Sequence, residues 1–435
     1  MKKVLLFMAA AAVMSASVSF AQVDDKAAAK AAKEAAKALK AEIKAANKVL
    51  REAQGVLNAP DGNMDQANAL IESAIENKHT ASNPDTWYTA GKIQNKIYDK
   101  ENEKMYLQQA YDKAKFFGSL SKMFDYYLKC DELEQLPDEK GKVVVKYRPE
   151  TSDFLSRVRI NLVSGGVGYF NENENQKAYE LFSKYIEVAK APMFESYNFE
   201  ETDSLMPEIA YYATLAALKM EDYEKALTYV DMAMKKEDVA QKAIEYKAMS
   251  YLNLGDTVKW IDVLKEGVEK FPNVEYFYSN LISHYNNNGN TDELVAFADE
   301  MLAKNPLPIF RFVKGFVFQN QKKYDEAIEE YKKCIEQDPN YTGAYRNLGI
   351  CYCTIAQEKS DAMSNLNVKS KEYKAQKEVL NGYYKLALPV YEQLRKMDDG
   401  SDPEVKNAWT NGLYTCYYML NMGKEFEEIE KILGL

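Results

Sequence analysis

Two histidines, five cysteines and one glycine-rich run hold most of what this 435-residue chain offers for chemistry. His79 and His284 are too few for a histidine metal site or a histidine-based proton relay. Cys130, Cys334, Cys351, Cys353 and Cys416 are odd in number and sparse for the length, unlike the dense pattern of a disulfide framework. Cys351 and Cys353 stand two apart, a spacing that points side chains in different directions on a helix, so buried free thiols are expected rather than a metal–thiolate pair. Ser164-Gly165-Gly166-Val167-Gly168 has the glycines of a phosphate cradle, but no strand precedes it and no Gly-Lys-Ser/Thr occurs there. Aspartates and glutamates are abundant, yet spread as solvated helix faces, and no H-E-x-x-H or G-x-S-x-G occurs. The residues therefore predict no enzyme, no catalytic group, no cofactor and no metal site.

Composition narrows the class further. Hydrophobic residues make up 46% and charged residues 28%, close to globular averages and unlike a disordered chain. The formal net charge of -10 argues against a nucleic-acid partner, because phosphate binding needs a concentrated Lys/Arg surface. The length suits two to three ordinary domains or one elongated array of repeats.

The start of the chain reads as an address. Lys2 and Lys3 precede an apolar stretch from Val4 to Met14, and Ser19 and Ala21 are the small residues before a cut at Gln22. Residues 1–21 are predicted to be a secretory signal peptide, too short in its apolar part to span about 30 Å of hydrocarbon. No cysteine lies at the cut, and no later stretch reaches 18 apolar residues. An exported, soluble mature protein is expected, periplasmic rather than extracellular or cell-surface.

Residues 22–57 read as one long helix rich in Ala, Lys, Glu and Leu. Lys30, Lys33, Lys37, Lys40 and Lys44 recur at steps of three and four and form one stripe. Ala32, Ala35, Leu39, Ile43, Ala46 and Leu50 fall on roughly the opposite side. The stripe is either a solvated face, on a helix that packs or self-associates, or a basic tether to an acidic partner such as envelope polymer or lipid headgroups. Asn58-Ala59-Pro60-Asp61-Gly62 ends the helix.

Beyond it the chain repeats. Pro272, Pro306 and Pro339 fall 34 and 33 residues apart, each after an aromatic-bearing helix, a short turn and a second helix. Tyr345, Leu348, Gly349 and Tyr352 supply a first-helix signature; Ala327, Tyr331, Cys334 and Pro339 supply a second-helix one. This pattern resembles the tetratricopeptide repeat, a 34-residue antiparallel helix pair. The resemblance is strongest over 207–355 and extends more weakly over 60–200 and 370–435. It implies an all-α, right-handed superhelical solenoid of tetratricopeptide-like helix pairs, preceded by the long Ala/Lys-rich helix. Residues 58–206 are expected to hold degenerate pairs with an insertion near 130–153, read as a short strand or a loop. Residues 207–435 are expected to hold clearer repeats with an insertion near 356–378 that lengthens helices.

The resemblance also implies a binding face. Positions that line the concave groove in this family map onto Tyr276, Asn286, Asn287, Phe312, Phe316, Gln319, Asn320 and Arg346. Asn and Gln amides offer donors and an acceptor to an extended peptide backbone, and Phe312 with Phe316 could supply an apolar anchor. The Lys and Asn of the family's carboxylate clamp are absent. The expectation is a non-enzymatic scaffold for protein or peptide segments, in cell-envelope assembly or maintenance. The rival expectation is an envelope structural or glycan-binding protein tethered through its basic helix.

Overall fold

The computed structural model describes residues 25–138 and 141–435; the expected signal peptide lies outside them. Every element among the described residues is helical. Two compact units divide the chain, the first ending at Val263 and the second running Leu264–Leu435.

The first unit contains α1 (Asp25–Asn58), α2 (Met64–Glu76), α3 (Pro84–Tyr106), α4 (Lys113–Glu134), α5 (Arg148–Val158), α6 (Ile160–Asn171) and α7 (Asn175–Val188). A 3-10 turn (Pro192–Tyr197) and the one-turn α8 (Phe199–Thr202) lead to α9 (Met206–Lys219), α10 (Tyr223–Ala233) and α11 (Glu237–Asn253). The division falls inside α12 (Thr257–Lys270). The second unit continues with α13 (Glu275–Asn287), α14 (Thr291–Lys304), α15 (Pro308–Asn320) and α16 (Tyr324–Gln337). It ends with α17 (Thr342–Ala362), α18 (Lys371–Met397), α19 (Pro403–Met419) and α20 (Gly423–Leu433). Helices adjacent in sequence pack on one another within each unit, as α9 does on α10 and α15 on α16.

One turn recurs between paired helices. The amide of Glu174 donates to the carbonyl of Tyr169, and the same six-residue closure joins Asp222 to Ala217, Asp256 to Tyr251, Asn290 to Tyr285, Lys323 to Phe318 and Met422 to Tyr417. This closure satisfies carbonyls that a helix end leaves open, and it needs a left-handed residue just before the donor. Gly255 and Gly289 fill that position without steric cost, whereas Glu221 and Lys322 hold it at φ of 56° and 60°. Proline supplies the other punctuation. Pro272, Pro306 and Pro339 each stand two residues beyond the end of α12, α14 or α16.

Packing within a pair rests on an aromatic ring laid where a first helix has no Cβ. A Cβ on Gly166 would lie 2.4 Å from the ring of Phe182, and one on Gly315 would lie 2.7 Å from that of Tyr331. Both rings are fully buried. Gly165 and Gly166 of the Ser164–Gly168 run are thus packing positions inside α6, while Gly168 meets only the end of the Lys113 side chain. The first unit holds a large apolar cluster rich in Phe, Tyr and Ala around α4, α7 and α9 and a smaller one around α1 to α3, and the second unit holds one around α16 to α19.

Two segments depart from the repeat. Residues 141–147 form a loop between α4 and α5, with Val143, Val144 and Val145 exposed. Glu134 anchors its end by accepting the backbone N–H groups of Lys146 and Tyr147 at 2.8 and 2.9 Å. In the second unit α17 and α18 run to 21 and 27 residues, twice the 14 of α16 in the longer case. No turn follows Tyr352, so the extra residues prolong both helices.

Candidate peptide-binding site between α17 and α19

The site begins with Tyr391 of α18, a buried ring clasped between two first helices. A Cβ on Gly349 of α17 would lie 2.5 Å from it, and so would one on Gly412 of α19. Two missing side chains on facing helices admit one ring between them. Above this floor α17 and α19 line an open pocket of about 430 Å3.

Helical spacing decides what lines it. From α17 come Arg346, Ile350 and Cys353; from α19 come Glu404, Asn407, Asn411 and Thr415, residues one turn apart on one face. Arg346 Nη1 donates to Glu404 Oε2 at 2.6 Å across the mouth. Glu404 is three-quarters exposed, so the pair is worth at most about 1 kcal/mol and leaves the guanidinium free to exchange partners. Asn407 and Asn411 are exposed, and their side-chain amides meet no partner among the described residues. Two amides a turn apart, beside an arginine and the apolar Ile350, are equipped to hold an extended peptide by its backbone.

The floor carries two thiols. Cys353 borders the pocket, Cys416 is fully buried, and both are free. Hydrogen bonds from Cys416 and from Tyr391 hold the Cys353 thiol below the ordinary cysteine range. Cys416, the donor to Cys353, is held well above that range by the same bond and by burial. Cys351 turns into the core on the other side of α17, where burial pushes it up to about 12. The two-residue spacing thus separates Cys351 from Cys353 as expected, but Cys353 has a partner 63 residues on. Among the described residues no three His, Cys, Asp or Glu side chains converge as metal ligands.

The groove residues expected from sequence are scattered by comparison. Arg346 lines the pocket. Phe312 is drawn toward the core, its ring 5.2 Å from that of Tyr341 and 5.8 Å from that of Tyr331. Phe316 on the same helix is half-buried. Gln319 accepts the Tyr331 hydroxyl at 2.7 Å, so its amide oxygen serves the core. Asn320, Asn286 and Asn287 are exposed at the C-terminal ends of α15 and α13, and Tyr276 stands edge-on to Phe277. Asn407 and Asn411 were missed. Counting from Trp409 as the fourth position of the terminal unit places Asn407 at the second, a groove position, whereas Asn411 falls at the sixth and carries no such signal.

The lysine stripe lies on a fully exposed stretch of α1, with Leu39 and Ile43 of the opposite side exposed as well. Lys30, Lys33, Lys37, Lys40 and Lys44 are exposed, as is every residue from 29 to 45. Burial starts at Ala46 and continues through Leu50, Ala53 and Leu57 against α2 and α3. Glu42 still ties this stretch to its own unit, pairing with Lys78 and His79 at 3.4 and 3.3 Å, and the exposed helix ahead of Glu42 carries Lys30, Lys33, Lys37 and Lys40.

Residues 317–353 match the TPR repeat family, a stretch that ends on the pocket residues of α17, and residues 208–250 match the Fis1 C-terminal tetratricopeptide repeat. No curated protein matches the chain. Similar solved structures include a TPR repeats protein from Bacteroides fragilis NCTC 9343, 18% identical, with a TM-score of 0.33, covering 58% of this chain and 97% of that one. Another is the C-terminal part of a TPR repeat-containing protein from Cytophaga hutchinsonii, 15% identical, with a TM-score of 0.37, covering 61% of this chain and 92% of that one.

Proposed function

We propose that this protein is a non-enzymatic scaffold that holds an extended protein segment between α17 and α19, exported and serving cell-envelope assembly or maintenance. The observation that carries the reading is the pocket itself: unpartnered Asn407 and Asn411 amides, an exchangeable Arg346 and an aromatic floor, within a helix-pair array of the kind used for protein interaction. The charged start, short apolar run and small residues of 1–21 support export. A photo-crosslinking residue at Asn411 in the cell should trap a protein partner, and Asn407→Ala with Asn411→Ala should weaken capture by about tenfold or more. Unchanged capture by the double variant moves the site elsewhere. Mature chain starting at Gln22 in the periplasmic fraction supports the location; a retained Met1 refutes it.

The exposed half of α1 favours a second reading, a peripheral tether to an anionic envelope surface. Replacing Lys30, Lys33, Lys37, Lys40 and Lys44 with Gln should abolish co-sedimentation with phosphatidylglycerol vesicles and leave the unfolding midpoint unchanged. Equal sedimentation of both proteins refutes the tether.

A further inference from the structure

Cys353 and Cys416 occupy equivalent places on facing helices. Each lies one turn after the glycine that clasps Tyr391, Gly349 on α17 and Gly412 on α19. Residues four apart share a helix face, so the approach that admits the ring also turns both thiols toward each other. Cys416 and Tyr391 belong to one buried cluster with Cys353 packed against it, and the two thiols shift each other's titration, Cys353 downward and Cys416 upward. The pocket opens onto Cys353, while Cys416 lies behind it with no exposed surface. The other three thiols lack this combination: Cys130, Cys334 and Cys351 are buried apart, each pushed up to about 12.

We propose that Cys353 and Cys416 form a dithiol modification site at the pocket floor, converted by a small disulfide oxidant into a disulfide that staples α17 to α19. The oxidant is a compound of the oxidised-glutathione class, entering through the pocket. Cys353 Sγ attacks one of its sulfurs as the thiolate; the S–S bond of the oxidant breaks and one thiolate leaves. Cys416, once deprotonated, then attacks Cys353 Sγ in the mixed disulfide and expels the second thiolate. The two thiol protons end on the two released thiols. Two electrons pass from the cysteines to the oxidant. Direction follows from placement: the pocket-facing sulfur with the lowered pKa is the attacker, and the buried one resolves.

The test uses the full mature chain, reduced, freed of reductant and exposed to oxidised glutathione, then alkylated and digested with trypsin without reduction. A cross-link between peptides 347–359 and 407–424 is expected, forming more than about tenfold faster than any adduct on Cys130 or Cys334. Cys351 shares a peptide with Cys353, so the cross-link must persist in Cys351→Ser and vanish in Cys353→Ser. Cys416→Ala should instead accumulate the glutathione adduct on Cys353, a positive readout that identifies attacker and resolver. A cross-link surviving Cys353→Ser, a wild-type chain that stops at the mixed disulfide, or thiols that all stay reduced overturns the proposal. None of these readouts depends on a bound peptide, so the site stands or falls apart from the scaffold reading.

Discussion

Gly412→Ala puts one methyl group where Tyr391 already lies. The added Cβ would sit 2.5 Å from Cε1, Cε2 and Cζ of the ring, closer than real contacts allow. Ring atoms in a core escape such a clash only by moving as a body. The α17 backbone at Gly349 is also close, since a Cβ added there would lie 2.5 Å from the same ring, so the ring has little room to shift between the two helices. Overpacking a closed core costs about 1–3 kcal/mol. Alanine returns about 1 kcal/mol over glycine through helix propensity. The net expectation is a loss of up to about 2 kcal/mol, or up to roughly 8 °C in Tm for a unit of this size. Gly382→Ala, in the middle of α18, is the control. A Cβ there meets nothing within 4 Å, so the same change should stabilise by about 1 kcal/mol. Urea unfolding of the three proteins by far-UV circular dichroism reads both signs at once. A Gly412→Ala protein stabilised as much as Gly382→Ala would mean that the helices do not clasp the ring, and the pocket above it would lose its floor.

Three other outcomes follow from named contacts. Glu221→Gly, at φ 56° in the turn between α9 and α10, should raise stability by about 0.5–1 kcal/mol in the same assay, because the position is left-handed and glycine alone enters it without strain. Glu101 is held below the ordinary glutamate range first by Lys104 and then by the backbone N–H of Asp112. A lowered folded pKa adds stability above the unfolded value and loses it as pH falls through the folded one. Urea midpoints of the parent and Glu101→Gln should therefore converge between about pH 5 and pH 3. Arg159 is 3% exposed, donates twice to the Tyr185 carbonyl and pairs with Asp203, so Arg159→Met should cost about 3 kcal/mol or more by calorimetry or urea unfolding.

Much of the fold was legible because its rules are local and repeated. Pro272, Pro306 and Pro339 mark helix ends by their chemistry alone, and the long α1 announces itself by composition. The Gly and aromatic positions were legible as a pattern, and the structure adds which ring meets which glycine. Tyr391 was not foreseeable from the 34-residue spacing. Residues 356–378 lengthen α17 and α18, placing Tyr391 42 residues after Gly349, whereas Tyr331 follows Gly315 by 16. The same lengthening hid Cys416 from Cys353. Sequence separation shows whether two residues share a helix face, and contact across two helices depends on where the intervening helix ends. Phe312 illustrates the converse. Its place on α15 was counted as a groove position, but Tyr341, one residue ahead of α17, folds against it.

The pocket follows from that local break in the repeat. In an ordinary pair such as α15 and α16, one glycine receives one ring, and the ring closes the joint. At Tyr391 one ring serves two glycines, so α17 and α19 both bear on α18 and on each other. Their outward turns then face across a gap instead of meeting second-helix side chains. What stands along that gap is not needed for the core: Asn407 and Asn411 pack on nothing, and Arg346 reaches only an exposed carboxylate. Polar residues retained where packing does not require them are free to serve binding. Asn407→Ala and Asn411→Ala should accordingly leave the urea midpoint within about 0.5 kcal/mol of the parent while partner capture falls. A stability loss matching that of Gly412→Ala would instead make the two amides part of the joint, and the binding argument would lose its residues.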